Sequence, residues 1–396
     1  MTSLRHSDPA NDYLLAAIPA VVAGRPVPQP PAGVDWRARA AQHGVLALLD
    51  AAGAGTGGPP SHRVSVAAQL EVAMRDLATV ATALDAAALR WAVVKGPVLG
   101  YEVYGDPLAR WFTDLDVVVA PQDFGDALTA LERSGGVLLD RNWPQARRLR
   151  LSELTVRMPR GTAVDLHWHV VSRADQRDRM PISTQDLLTR TRTVHLGGLA
   201  VPTFAELDTV LHLAVHGAVS GGGLLRWLVD LSRAVHRYDP DPGALGARAR
   251  SLGCALAAQL MVDRAARYVA PALHRYHGRL APRSPAVAAG RVWSWGFPPG
   301  RGLQDRPARS GEALYLTVGG RGPGTAGALM TRAAHAGRHW WFHPERRPMR
   351  DEAAHQGAEM RRVVDDGGAA RLHYLADLCH AETEHSRTAG HATTHA

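Results

Sequence analysis

The residue types with the most chemistry stand between positions 95 and 165: Lys95-Gly96, Arg110, Asp114-Leu115-Asp116 and Asp165. Asp114 and Asp116 lie two apart in DLDVVVA (114–120), which reads as a strand. Strand side chains alternate between faces, so both carboxylates project to the same side. Two acids at the mouth of an apolar strand repel each other and call for a counter-charge, which a divalent cation supplies. Asp165 belongs to a later strand, VDLHWH, with His167 two residues on and on the same face. If the two strands are neighbours, three carboxylates converge. Mg²⁺ is held by one or two carboxylates together with phosphate oxygens and water. Two such ions clamp the attacking and leaving oxygens of a phosphoryl transfer. Gly96 ends the strand WAVVKG (91–96) and opens a turn, where a glycine lets the backbone approach a phosphate and the next helix N-terminus favours an anion. Lys95 and Arg110 are placed to neutralise triphosphate charge. The candidate site therefore has Asp114, Asp116 and Asp165 as carboxylates able to share metal ions, with Lys95, Gly96, Arg110 and His167 beside them as candidate ligand-binding residues. A DxD alone is equally the start of a capped strand with solvated acids. The chemistry is carried by the combination with the glycine turn and the third strand Asp.

The elements that must position these residues follow from periodicity. Residues 1–34 end in a Pro-rich loop, GRPVPQPPAG. Asp35 caps a helix predicted over WRARAAQHGVLALLDAAG, and residues 53–63 form a linker. Residues 64–88 carry Ala, Leu and Val at helical spacing. The period then changes to strands at 91–96 and 114–120 and a helix at 121–134 that stops at Ser134-Gly135-Gly136. A third strand is expected at 137–140, and 151–171 reads as two strands turning at Pro159-Arg160-Gly161. Beyond 203 the pattern is helical. Thr203 and Glu206 read as a capping box, 224–238 as an amphipathic helix, and 246–278 as further helix. Residues 280–310 read as a long loop, and 380–396 as a polar, disordered tail.

Composition narrows the class. The chain has 396 residues, 46% hydrophobic and 21% charged, which excludes collagen, coiled coil and wholesale disorder. No run of 18 apolar residues lacks a charge or breaker, and the N-terminus lacks a signal-peptide build, so the cytoplasm is the expected compartment. Cys254 and Cys379 are the only cysteines, too few for a disulfide framework or zinc pattern, and read as two reduced structural thiols. The net charge is +8, which favours anionic partners. Of the 45 basic residues, 44 are Arg and one is Lys95. An Arg-, Ala- and Gly-rich composition accounts for the scarcity of Lys but not for its survival beside a glycine turn.

The run KGPVLGYEVYGDPLARWFTDLDVVV resembles the core of the DNA polymerase beta-like nucleotidyltransferase superfamily, with its small-residue turn, Asp-x-Asp and a third Asp on a later strand. In more detail the chain is similar to the bacterial uncharacterised nucleotidyltransferase family. It shares the Lys95-Gly96 turn, Arg110 before Asp114/Asp116, the strand Asp165-Leu166-His167-Trp168, then His212/His216 and Trp227-Leu228-x-Asp230. The resemblance spans about residues 35–240. It implies an α+β fold: a small mixed nucleotidyltransferase sheet with a helical N-terminal lead-in and a helical C-terminal domain. The expected division is 1–88 helical, 89–200 catalytic core, 201–280 helical domain, 281–379 loop-rich and helical, and 380–396 tail. It further implies transfer of a nucleoside monophosphate from an NTP, with two Mg²⁺ ions, to a small-molecule or peptide acceptor, as in natural-product tailoring. Neither a membrane nor a nucleic acid is expected as partner. One departure is Pro97 in place of the turn's second small residue, which removes a backbone N–H donor. It motivates an alternative: a degenerate nucleotide-binding protein without turnover. A nucleic-acid-binding module is a third reading, from the charge and from GRHWWFHPERRPMR (337–350), whose plainer reading is an amphipathic packing segment.

Three further patterns carry competing readings. His212 and His216, four apart on one helix face, suit a metal pair or, more commonly, a polar network between helix and sheet. Arg226 and Asp230 suit an i,i+4 ion pair or substrate contact. Gly322-x-Gly324-x-x-Gly327 matches a dinucleotide fingerprint. However, Pro323 interrupts its cradle and no acid-ended strand follows, so it reads as a loop.

Overall fold

The run of β-branched residues after the two aspartates sits at the heart of a five-stranded sheet. The computed structural model describes residues 8–54, 61–172, 174–178, 180–296, 298–300, 360–362 and 368–378. The helices α1 (Pro9–Val22), α2 (Trp36–Gln42), α3 (Leu46–Ala51) and the long α4 (Ser61–Ala86) lead into β1 (Trp91–Val94). A short α5 (Gly96–Val98) and a π-helical turn (Leu99–Tyr104) separate it from β2 (Asp114–Val119). Next come α6 (Phe124–Arg133), β3 (Val137–Leu138), α7 (Trp143–Leu149), β4 (Glu153–Arg157) and β5 (Ala163–His167). The one-turn helices α8 (Ala174–Arg177) and α9 (Thr184–Leu188) precede a hairpin of β6 (Arg192–Leu196) and β7 (Leu199–Thr203). The rest is helical: α10 (Glu206–Val219), α11 (Leu225–Tyr238), α12 (Pro242–Ser251), α13 (Ala255–Tyr268) and α14 (Pro285–Gly296).

The sheet order is β1-β2-β5-β4-β3, antiparallel except for the central β2–β5 pair, which is parallel. This is the mixed α+β sheet expected, with helices at both ends of the chain. Alternation along the strands assigns each face to a different core. Leu115, Val117 and Val119 join Val93, Val164 and Leu166 under α4 and α6, against Leu77, Leu84, Phe124 and Leu128. Ala92, Val94, Val118 and Ala120 point the other way, into the core built by α10, α11 and α13. That second core also takes Leu14 and Ile18 of α1 and Leu48 and Leu49 of α3, so the N-terminal helices pack with the helical half. Because Asp114 and Asp116 share the parity of Val118, they open onto the seam between the sheet and these helices.

Several boundaries differ from the sequence reading, each for a local reason. The helix expected from Trp36 to Gly53 breaks at Gly44, whose backbone is left-handed (φ +68). Asp35 caps its first half as expected, accepting from Ala38 N at 3.0 Å. The third strand is only two residues long. Thr203 is not a helix cap. It pairs with Arg192 in the β6–β7 ladder, and α10 starts at Glu206 with no side-chain cap. Part of the predicted loop at 280–310 is α14, which begins at Ser284-Pro285 with Val287 N donating to Ser284 Oγ. Cys254 is a buried free thiol. Cys379, the glycine motif at 322–327, the aromatic segment at 337–350 and the tail at 380–396 lie outside the described residues. Among the described residues, no helix is long and apolar enough to cross a membrane.

Candidate active site

The parallel pairing of β2 with β5 sets the site. Asp116 stands opposite Asp165, and Val118 opposite His167, so these side chains share one face with Asp114 two residues earlier. On the far side of β5, Glu153 stands opposite His167 and Thr155 opposite Asp165. Three carboxylates therefore share one face at the register centre, as the spacing of 114, 116 and 165 suggested.

Asp116 is buried, 6% exposed, yet it does not stand alone. The Lys95 ammonium lies 2.6 Å from its Oδ1, and His167 Nε2 lies 3.2 Å from the same atom. Burial by itself would raise this carboxyl, but Lys95 and His167 hold it well below the usual carboxylate range, so it stays ionised. Asp114 moves the opposite way, raised first by burial and then by the charge on Asp116. Asp165 is pushed up to about 6, again first by burial. The nearby acids Glu153, Asp116 and Asp114 add to this rise, and His167 opposes it. Its Oδ1 accepts a hydrogen bond from Thr155 Oγ1 at 2.8 Å. His167 is driven down by burial, but Asp116 and Glu153 outweigh that and leave it more basic than a free imidazole. Its Nδ1 lies 3.3 Å from Glu153 Oε2.

The turn after β1 is strained. Lys95 adopts φ +54 and ψ −130, and Gly96 follows at φ +32. A non-glycine residue there persists only when its surroundings determine it. Arg110 is one of those surroundings. Its Nη1 donates to the Gly96 carbonyl at 3.1 Å, while Nε and Nη2 donate to both oxygens of Asp230 at 3.0 and 2.9 Å. Tyr104 Oη donates to Asp230 Oδ1 at 2.7 Å. Arg110, expected from sequence to meet phosphate, is thus buried and turned toward the helical half, where it anchors the turn. The same bonds correct the expected Arg226–Asp230 pair, because Asp230 is taken by Arg110 from 120 residues away. Pro97 sits buried in the first turn of α5, where its missing N–H would have had no intrahelical acceptor.

The helical half faces this sheet with α10 and α11. His212 and His216 lie within electrostatic reach of Lys95 and Asp116. Burial and then Lys95 push His212 down to about 3 and His216 well below its ordinary value, so both rings are neutral. The polar network expected for this pair is not made by His212: neither of its ring nitrogens has a hydrogen-bond partner in the protein. Arg226, at the start of α11, is near enough to lower the Asp114 carboxyl. Sequence reasoning did not identify Glu153, Thr155 or Tyr104. Glu153 and Thr155 carry a usable signal, because they share the period-2 face of the strand that pairs with Asp165 and His167.

Among the described residues, no group of three or more His, Cys, Asp and Glu side chains stands at metal-holding separation, and the Lys95 ammonium occupies the position against Asp116. The donor chemistry still suits a hard divalent cation. Three carboxylates share one face, and two of them are raised by burial and by neighbouring negative charge, which a bound cation would relieve.

The family model described as uncharacterised nucleotidyltransferase matches residues 39–270, more than half of the chain. The chain belongs to this family. The match covers every site residue above, from the Lys95 turn to Asp230, and runs through α13. The protein is accordingly a transferase, an enzyme of nucleotidyl transfer, and family membership implies an NTP as substrate. No curated protein sequence matches the chain.

Proposed function

We propose that this nucleotidyltransferase moves a nucleoside monophosphate from an NTP to a hydroxyl of a small-molecule or peptide acceptor, in the manner of a natural-product tailoring enzyme, with Mg²⁺ at Asp114, Asp116 and Asp165. The observation that supports this most is the register: Asp116 opposite Asp165 on adjacent parallel strands, with Asp114 on the same face. Bound there, the metal supplies Lewis-acid polarisation and charge neutralisation. The chain's own residues do the rest. Asp116, kept ionised by Lys95 and His167, is an acceptor-only group at any working pH. Thr155 fixes one oxygen of Asp165, leaving Oδ2 to take the proton from the acceptor hydroxyl. The acceptor oxygen bonds to the α-phosphorus, the bond from that phosphorus to the bridging oxygen breaks, and pyrophosphate leaves. In this reading Lys95 and the Gly96 turn meet the phosphate charge, with Arg110 fixing the turn from behind.

The test is pyrophosphate release from ATP, GTP, CTP and UTP with a panel of small hydroxyl acceptors and peptides, with and without EDTA. Release that depends on added Mg²⁺ and disappears in Asp114→Asn supports the reading. NTP binding without release in every combination favours the nucleotide-binding alternative. Affinity for single-stranded RNA that ignores NTP and falls steeply with salt favours the nucleic-acid reading.

A further inference from the structure

The carboxylates of the sheet are opposed by a wall of different chemistry. His212 is 7% exposed, and both ring nitrogens are buried without a protein partner. Phe204 packs edge-on to its ring at 5.7 Å, and His216 lies 6.3 Å away on the next helical turn. Trp227 stands edge-on to His216 at 6.1 Å, and its indole Nε1–H is also buried without a partner. Beside it, Arg226 makes no ion pair with the described residues, and its side chain is pressed against Gly44, where a Cβ would come within 2.9 Å of Arg226 Cδ. Of the acids of α10 and α11, Asp208 is bound by Arg190 and Arg248, Asp230 by Arg110, and Glu206 is exposed in the first turn of α10. The wall facing the sheet thus offers N–H donors and positive charge with no uncommitted carboxylate.

Unpartnered buried donors are unfavourable unless a ligand satisfies them. A ligand matching this wall is rich in anionic oxygens and bridges toward the cation-seeking carboxylates opposite. We propose that His212, His216 and Arg226 form a polyphosphate-binding wall that takes the β- and γ-phosphates of the nucleotide from the side of the helical half. This inference rests on the nucleotidyl-transfer reading and assigns the part of the substrate that the helical half holds.

The experiment is calorimetric titration of the full chain with sodium tripolyphosphate in Mg²⁺, alongside thermal unfolding. His212→Phe keeps a flat ring and removes both unsatisfied nitrogens. A small cavity adjoins His212, its lining including the apolar Val170, Ile182, Leu211 and Val215. The expected result is weaker tripolyphosphate binding by about tenfold or more with an unchanged or higher Tm. His212→Gln, which keeps a donor, recovers part of the affinity. Arg226→Met, at a half-exposed position, weakens binding and flattens its salt dependence. Tripolyphosphate binding equal to wild type in both His212→Phe and Arg226→Met overturns the wall, as does a wild-type protein that does not bind tripolyphosphate. So does His212→Phe that loses stability while retaining affinity, the signature of a structural histidine. Pyrophosphate release in Asp114→Asn separates the two claims. Release that survives Asp114→Asn, with tripolyphosphate binding still dependent on His212, defeats the metal-site reading alone. Release abolished there, with affinity indifferent to His212, defeats the wall alone.

Discussion

Replacing Asp230 with Ala should be among the most damaging single changes in the helical half, and its size can be worked from the contacts. Asp230 and Arg110 have side chains only 4% and 6% exposed, so solvent screening does not soften their interaction. Asp230 accepts two bonds from Arg110 and one from Tyr104. Burial alone would make Arg110 easier to deprotonate, yet Asp230 reverses this and raises the guanidinium above its ordinary value. Asp230→Ala leaves that charge buried without its partner, at a cost of about 3–5 kcal/mol. With a urea m-value of about 3 kcal/mol/M, the midpoint falls by roughly 1 M or more. In the cycle of Arg110→Met, Asp230→Ala and Arg110→Met/Asp230→Ala, the double variant leaves no buried charge unpaired and should lose at least about 2 kcal/mol less than the two singles summed. Equilibrium urea unfolding followed by circular dichroism measures all three. Pyrophosphate release should fall in each, the double variant included, because removing Arg110 takes away the donor to the Gly96 carbonyl and removing Asp230 leaves that guanidinium unheld. A loss below about 1 kcal/mol for Asp230→Ala, or a double variant that simply sums the singles, would refute the reasoning.

Three further expectations concern parts away from the carboxylates. His43 Nε2 lies 2.9 Å from Asn11 Oδ1, and its Nδ1 accepts from Leu225 N at 3.1 Å, so the folded protein needs it neutral. Burial, then Arg39, pushes it down to about 4. The unfolded chain therefore takes up this proton first. Its contribution, at most about 3 kcal/mol, is complete above pH 6.5 and is lost as pH falls toward 4. A His43→Gln variant with the same pH-dependence of unfolding as wild type would show the assignment to be mistaken. Gly44→Ala should destabilise by about 1–3 kcal/mol through its left-handed backbone and should weaken NTP binding by displacing Arg226. An affinity unchanged in titration would separate the two positions. Asp76 is fully buried and accepts from the backbone N–H groups of Arg160 and Thr162, tying α4 to the β4–β5 turn. Asp76→Ala should lower stability by about 2–3 kcal/mol while leaving NTP affinity intact, and loss of affinity in the folded variant would count against a purely structural role.

The local parts of the site were legible because they depend on period alone. Asp114 and Asp116 share a face in any strand, and the glycine turn ahead of them stands where expected. The register of Asp165 needed a pairing that one sequence does not specify, though the alternation in 163–167 already put Asp165 and His167 together. Other features fail to show because distant groups override local patterns. Asp230 has Arg226 four residues before it on α11, yet a buried arginine 120 positions away wins because desolvation makes that bond the stronger. Thr203 and Glu206 have capping-box spacing, yet the ladder with Arg192 claims Thr203 first. The break at Gly44 and the start of α14 at Ser284-Pro285 did carry a signal: a glycine amid helical residues and a serine before proline.

The solitary lysine has a practical side. An amine-selective reagent finds, apart from the chain's own α-amino group, one primary amine in the protein, and that nitrogen is held 2.6 Å from Asp116. Acylation requires the neutral amine to leave the carboxylate, so the labelling rate at Lys95 measures how often this pair opens. Ligands that draw the ammonium away from Asp116, or lock it in place, should shift that rate in opposite directions. The protein thus carries a built-in chemical clock at the centre of its site, readable by intact-mass spectrometry without any introduced probe.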